Sequence, residues 1–297
     1  SSVSIITAED IELLGYDFAL DAIAAAPGVT INSNGAFGGQ ASVRIRGAAS
    51  EQTLVLIDGG GVNDTSSPGG GFNFARLDTE NIERIEILRG PQSTLWGTDA
   101  VGGVVSITTK TPSEGLGGSV FGEYGSFNTF RGGAAIENAG EAGDFRVAIV
   151  GTSSDGISKA DEDNGNSEDD AYEALTLSAK GGLNLPGDAR LSADILWTDA
   201  ESEFDSFSSG AQGRVADGDE VSETEEIALN ASLTGSLFDG RLENLVLIGY
   251  SDITRANFTD GAQSFDARGE RMLYRYQGTL AINDANKLAF GAEREET

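Results

Sequence analysis

Two arginines stand out by position. Arg46 closes the strand-like phrase Val43-Arg44-Ile45 and Arg89 closes Ile87-Leu88, and each directly precedes a glycine. A guanidinium is planar, permanently charged and rich in donors, so at the end of a buried strand it demands oxygen partners. A second chemistry is that of crowded carboxylates. Asp155, Asp161, Glu162, Asp163, Glu168, Asp169, Asp170 and Glu173 face Lys159 alone. Asp199, Glu201, Glu203, Asp205, Asp217, Asp219 and Glu220 face Arg214 alone. Carboxylates this dense suit a hard cation such as Ca2+, which takes 6–8 oxygen ligands. They equally describe a solvated acidic surface, the commoner meaning of a charge run. The glycine in Asp161-Glu162-Asp163-Asn164-Gly165 falls one place early for an EF-hand loop.

The chain has no histidine and no cysteine. No imidazole base, thiolate nucleophile, zinc-thiolate site or disulfide can be assembled from it. No carboxylate pair sits in an apolar context either, so the expectation is a protein that is not an enzyme. With 19 basic against 48 acidic residues the formal charge is −29. That balance argues against nucleic acid as a partner and in favour of cations. The sequence contains no apolar run of about 18 residues that would make a transmembrane helix.

The elements that carry these groups fall into two parts, expected at residues 1–111 and 112–297. The first reads as mixed α/β. Val3–Ile6 is a short strand, Thr7 an N-cap with acids behind it, and a helical pattern continues from Ile11 to Ala26, where Pro27-Gly28 stops it. Thr53–Ile57 is a continuous apolar run closed by Asp58-Gly59, which reads as a strand buried on both faces. Gly59 to Gly71 reads as a long flexible loop with almost no apolar anchor, and Thr79–Glu83 as a helical turn feeding the strand Arg84–Leu88.

From Gly117 onward the pattern alternates with period two. Ile227, Leu229, Ala231 and Leu233 alternate with Glu226, Ala228, Asn230 and Ser232, and Leu191 to Trp197 and Met272 to Ile282 behave alike. Roughly nine such segments are each close to the ~9–11 residues of a tilted membrane-spanning strand. Short turns at 138–143, 185–188, 238–240 and 283–286 alternate with long polar stretches at 153–170, 199–223 and 251–269. Short connections on one side and long ones on the other mark an outer-membrane barrel. A soluble β-sandwich also alternates, but with strands of about 5–6 residues. An odd strand number does not close an antiparallel bacterial barrel, so the chain is expected to be the N-terminal portion of a longer protein.

Ile45-Arg46-Gly47, Leu54–Gly59, Ile85–Pro91 and Gly97–Val105, in this order and spacing, closely resemble the plug domain of TonB-dependent outer-membrane receptors. The barrel start Gly122–Thr129 is similar too, and the cobalamin-receptor branch is the nearest. The resemblance implies an antiparallel membrane β-barrel of about 22 strands with a mixed α/β plug in its lumen. It implies residence in the outer membrane of a Gram-negative bacterium, surrounded by outer-membrane lipid. The implied activity is uptake of a scarce metal chelate, cobalamin first and ferric siderophore second. The implied partner is TonB with its inner-membrane energising complex.

The resemblance also assigns residues. Arg46 and Arg89 are the plug half of a latch to barrel carboxylates, for which Glu293 is the candidate in this chain, although it is equally one more lumen carboxylate. Asn34, Gln40, Asn63, Asp64, Phe72 and Asn73 lie on plug loops expected at the ligand-facing apex. Asp163, Asp170 and Asp205 are the nearest counterparts of calcium-ordering loop aspartates, so Ca2+ is an optional ion and no cofactor is required. The competing reading is a non-transport outer-membrane or surface β protein, acting in adhesion or display or as a passive barrel.

Overall fold

The computed structural model describes residues 2–33, 37–67, 69–92, 100–158, 169–207, 215–216, 218–283 and 285–297. Its first part begins with β1 (Ser2–Thr7), α1 (Ala8–Leu14), α2 (Ala19–Ala24), β2 (Val29–Ser33) and β3 (Ala41–Ile45). β4 (Thr53–Ile57), β5 (Gly60–Gly61), β6 (Ile82–Arg89) and β7 (Gly103–Thr109) complete it. β1, β6, β7, β4 and β5 form one sheet in that order, while β2 and β3 pair separately. β4 runs parallel to β7, with Leu54 opposite Val104 and Ile57 opposite Ile107. Every residue of β4 is buried, as a continuous apolar run requires.

The helical stretch is broken, contrary to the expectation of one run to Ala26. Thr7 and Asp10 form a reciprocal capping box that starts α1, and Gly15 ends it in the left-handed conformation at φ 64°. Pattern alone hid this break, because the apolar residues on either side of Gly15 fit one helical period. The expected helical turn at Thr79–Glu83 is also displaced: a 3-10 turn occupies Phe74–Arg76 and β6 starts at Ile82.

Among the described residues nine long strands and a two-stranded ribbon follow: β8 (Gly115–Tyr124), β9 (Phe130–Gly140), β10 (Gly143–Ser154), β11 (Tyr172–Leu185) and β12 (Ala189–Glu203), then the small ribbon of β13 (Ser206–Phe207) and β14 (Val215–Ala216), then β15 (Glu220–Leu237), β16 (Leu242–Thr259), β17 (Ala262–Asn283) and β18 (Asn286–Glu296). The ribbon apart, they make one antiparallel sheet in chain order. Alternation sorts the two faces. On β10, Arg146, Ala148, Val150, Thr152 and Ser154 are buried toward the first part, while Phe145, Val147 and Ile149 stay 38–44% exposed. Exposed large apolar residues in such a register are what lipid would cover.

The expected short turns are present, but the polar stretch 251–269 is not a loop. β16 and β17 continue through it as a hairpin closed at Asp260-Gly261, and β17 reaches 22 residues, about twice a membrane crossing. Beyond the apolar belt both faces of a strand meet water, so the alternation that betrays a strand disappears.

The main hydrophobic core belongs to the first part. Ile23, Ile45, Val55, Ile85, Ile87, Val105 and Ile107 lie at its centre, and Leu196 is the barrel side chain that packs against it.

Candidate ligand-binding site

The surface between plug and wall is mostly polar, apart from an apolar cluster of Phe18 with Tyr172 and Ala200, and its ion pairs mostly run from wall cations to plug acids. Arg131 of β9 grips Asp78 at two points, Nε to Oδ2 at 2.6 Å and Nη2 to Oδ1 at 2.8 Å. Lys180 of β11 donates to Asp58 Oδ1 at 2.8 Å, and Arg255 of β16 ion-pairs with Asp64 and donates to Ser66 Oγ at 3.0 Å. Arg146 of β10 donates to Asn81 at 2.8 Å. The reverse polarity occurs at Arg76, which donates to Thr224 at 2.7 Å and to Glu226 at 2.5 Å on β15. Arg131, Arg146 and Lys180 could have been picked out by parity, since each occupies a lumen-facing position of an alternating strand, whereas Arg255 lies in the β16–β17 hairpin where that pattern fades. The partners of all four could not.

Arg46 and Arg89 lie side by side: a Cβ on Gly28 would be 3.9 Å from Arg46 Cγ and 3.7 Å from Arg89 Cδ. Arg89 is buried and its Nη1 donates to Ser4 Oγ at 2.8 Å and to the Pro27 carbonyl at 2.9 Å, tying β1 and the end of the helical segment to β6. Arg46 is exposed and takes a left-handed φ of 54°, as does Asp58 at 48°, so both residue-glycine phrases are left-handed turns. Glu293 pairs with Arg275 on the neighbouring strand at 2.6 Å. Arg275 in turn donates to the Gly59 carbonyl of the plug at 3.0 Å. The carboxylate expected to meet a plug arginine is therefore engaged by a wall arginine, and that arginine reaches the plug.

Gln40, Asn63, Asp64, Phe72 and Asn73 line a shared cavity between the plug loops and β12, β15 and β16. Asn34 lies outside the described residues. Several of these side chains are struts for their own loop. Asn63 accepts from Val55 N at 2.8 Å and donates to the carbonyls of Thr53 and Gly70 at 2.9 and 3.1 Å. Asn73 accepts from Ala41 N at 3.1 Å and donates to the Gly39 carbonyl at 3.3 Å. The loop from Gly59 to Gly71, expected to have almost no apolar anchor, is thus pinned by an amide, with Val62 packed on the plug core beside it. Phe72 stacks edge-on against Phe74 at 4.9 Å and belongs largely to the core. Gln40 remains exposed.

The cavity holds about 160 Å3. Pockets that enclose a drug-sized ligand hold roughly 300–1,000 Å3, so this one is a floor on which a larger molecule rests. Of its wall residues, Ser202 and Ser222 lie near the strand ends that carry a long connection, and Asn257 lies near the tip of the β16–β17 hairpin.

Beside it the plug loop is clamped. Tyr172, 1% exposed at the start of β11, meets Phe18 and Phe37 at centroid distances of 6.4 and 5.7 Å. Gly38 lies flat on the Tyr172 ring: an added Cβ would fall 2.0 Å from it, and φ is +68°. Neither residue had a signal in the sequence.

The acidic connections are only partly described. Asp163 lies outside the described residues. The Asp170 carbonyl packs against Gly156, and Asp205 accepts from Ser158 Oγ at 3.4 Å. Among the described residues no three acidic side chains converge to hold a metal ion.

Residues 1–104 match the family model for the TonB-dependent receptor plug domain. The vitamin B12 transporter BtuB of Photobacterium profundum is 27% identical over 98% of this chain and 46% of its own length. An iron-regulated outer membrane virulence protein of Vibrio cholerae is 39% identical over 40% of this chain and 19% of its own length. The siderophore receptor PiuA of Acinetobacter baumannii superposes with a TM-score of 0.75 at 18% identity, over 99% of this chain and 45% of that one. The chain spans about half the length of the relatives it matches throughout. A plug seated against nine alternating antiparallel strands, with these relatives, identifies the chain as a member of the TonB-dependent outer-membrane receptors, near BtuB.

Proposed function

We propose that this chain is part of a receptor that binds cobalamin at the outer face of the outer membrane and admits it when TonB remodels the plug. The observation that carries this reading is the chemistry of the plug–wall surface. The plug keeps its own hydrophobic core, and Arg131–Asp78, Lys180–Asp58, Arg76–Glu226 and Arg255–Asp64 join it to the wall. Polar contacts can be exchanged for water when two bodies separate, whereas a shared apolar core cannot. A plug held this way is displaceable as a unit. The cavity under Gln40 supplies a floor for the chelate, and a relative matching nearly the whole chain is a vitamin B12 transporter.

The test is thermal stabilisation of the full-length receptor, with cyanocobalamin and a ferric chelate compared, followed by uptake in cells with and without TonB. Stabilisation by cyanocobalamin and TonB-dependent uptake are expected. Uptake that persists without TonB would favour a passive barrel. The iron-regulated relative favours a ferric chelate as the second reading, and stabilisation by the ferric chelate alone would select it.

A further inference from the structure

The charged side chains on the cavity floor cancel in pairs. Arg255 is neutralised by Asp64 and Arg76 by Glu226, and all four line the cavity. Asp252, also at the cavity, has its carboxylate taken up by Arg268 at 2.6 Å and by the Tyr250 hydroxyl at 3.0 Å. The floor is thus rich in charge but close to neutral. A polyanionic catecholate or carboxylate on this floor meets Asp64 and Glu226 as well as the arginines, whereas a ligand without net charge meets neither attraction nor repulsion from the paired groups.

We propose that Asp64 and Glu226 are specificity-determining residues: by neutralising Arg255 and Arg76 inside the cavity, they reserve it for a chelate without net charge and turn away polyanionic ones. The inference rests on the reading of this cavity as the floor of the chelate site. It assigns the two acids a role that contact with the ligand does not require. They set the sign of the field the ligand enters, and in a cavity of low dielectric that field acts strongly.

The experiment uses the full-length receptor with Asp64→Asn, Glu226→Gln and both together. Each amide keeps the size of its acid and a carbonyl oxygen for the arginine. Heat-modifiable gel migration first reports that the barrel is closed. Binding is then measured by calorimetry with cyanocobalamin and, separately, with a trianionic ferric tris-catecholate. The expected result is a gain of about tenfold or more for the catecholate in the double variant, because two guanidiniums lose their counter-charges. The readout is the ratio of the two affinities, which is expected to shift toward the catecholate by about tenfold, because a ligand without net charge gains nothing from the lost counter-charges. If the double variant does not close its barrel, the single variants are read instead, with a smaller gain expected from each. A folded variant with no gain for the catecholate overturns the proposal, as does wild-type receptor that already binds the catecholate more tightly than cyanocobalamin. The transport reading fails separately, through wild-type receptor that ignores cyanocobalamin, and a catecholate gain in the variants would still establish the charge gate.

Discussion

Arg131 on the barrel wall and Asp78 on the plug form a two-point ion pair in which both side chains are only 7% exposed. Phe121 lies under the same guanidinium, with its ring centre 4.8 Å from Cζ. Asp78 is fixed from its own side, because its backbone bridges Phe18 and its Oδ1 accepts from Glu80 N at 2.7 Å. This pair is the most enclosed of the links between the two parts.

Removing Asp78 leaves the buried Arg131 with Glu123 at 3.1 Å and Asp17 at 3.8 Å, both at its Nη1, so the cost is below the roughly 3–5 kcal/mol of a charge left with no partner. Asp78→Ala in the full-length receptor is expected to lower the plug's unfolding transition in calorimetry and leave the barrel transition in place. Adding Arg131→Ala should recover part of the loss. An unshifted plug transition would mean that the pair does not hold the plug.

The contact of Gly38 with Tyr172 predicts opposite signs for two substitutions. Gly38→Ala adds a Cβ where the Tyr172 ring already lies and strains a left-handed φ, so the plug loop must lift and chelate affinity should fall at least tenfold, by roughly 1.4 kcal/mol or more. Tyr172→Phe removes a buried hydroxyl that has no hydrogen-bond partner among the described residues, so stability should hold or rise by about 1 kcal/mol. Melting curves and binding isotherms of the two variants check both signs.

Asn63→Leu keeps the size but abandons three hydrogen bonds and leaves Val55 N and the Thr53 carbonyl without their partner. The expected cost is about 1–3 kcal/mol for each buried group left unsatisfied. Hydrogen exchange should quicken first in the loop from Gly59 to Gly71 and at β4. Uniform protection in the variant would show that the loop has another anchor.

Asp10 carries a pH dependence. The Thr7 backbone N–H, and next its hydroxyl, hold the Asp10 carboxyl below the usual carboxylate range. Its folded value is depressed, so the capping contribution is complete above the unfolded value of about 3.9 and fades as pH falls through the lower folded value. Exchange of the α1 amides should therefore accelerate on acidification, and Asp10→Asn should flatten that dependence. A profile unchanged by the substitution would rule out the capping carboxylate as its source.

The sequence showed a good deal of this architecture, for identifiable reasons. The wall strands were legible because lipid on one face and plug on the other enforce a period of two, as at Phe145 to Ser154. β4 was legible because burial on both faces leaves only apolar residues from Leu54 to Ile57. The upper hairpin of β16 and β17 was not, because water on both faces erases the pattern. The break at Gly15 was missed because flanking residues keep the helical period across it.

What the sequence determined by itself, then, was the sorting of residues into faces, since solvent, lipid and core each select side chains locally. It placed Gln40, Asn63, Asp64, Phe72 and Asn73 in loops that do meet at one cavity. Only the tertiary structure decided which charge meets which. Asp78 and Arg131 are 53 residues apart, and Asp64 and Arg255 191 apart. In a chain with 48 acids, every arginine has many possible partners. An ion pair is selected by distance and enclosure after the sheet registers are fixed, and no local pattern encodes that choice.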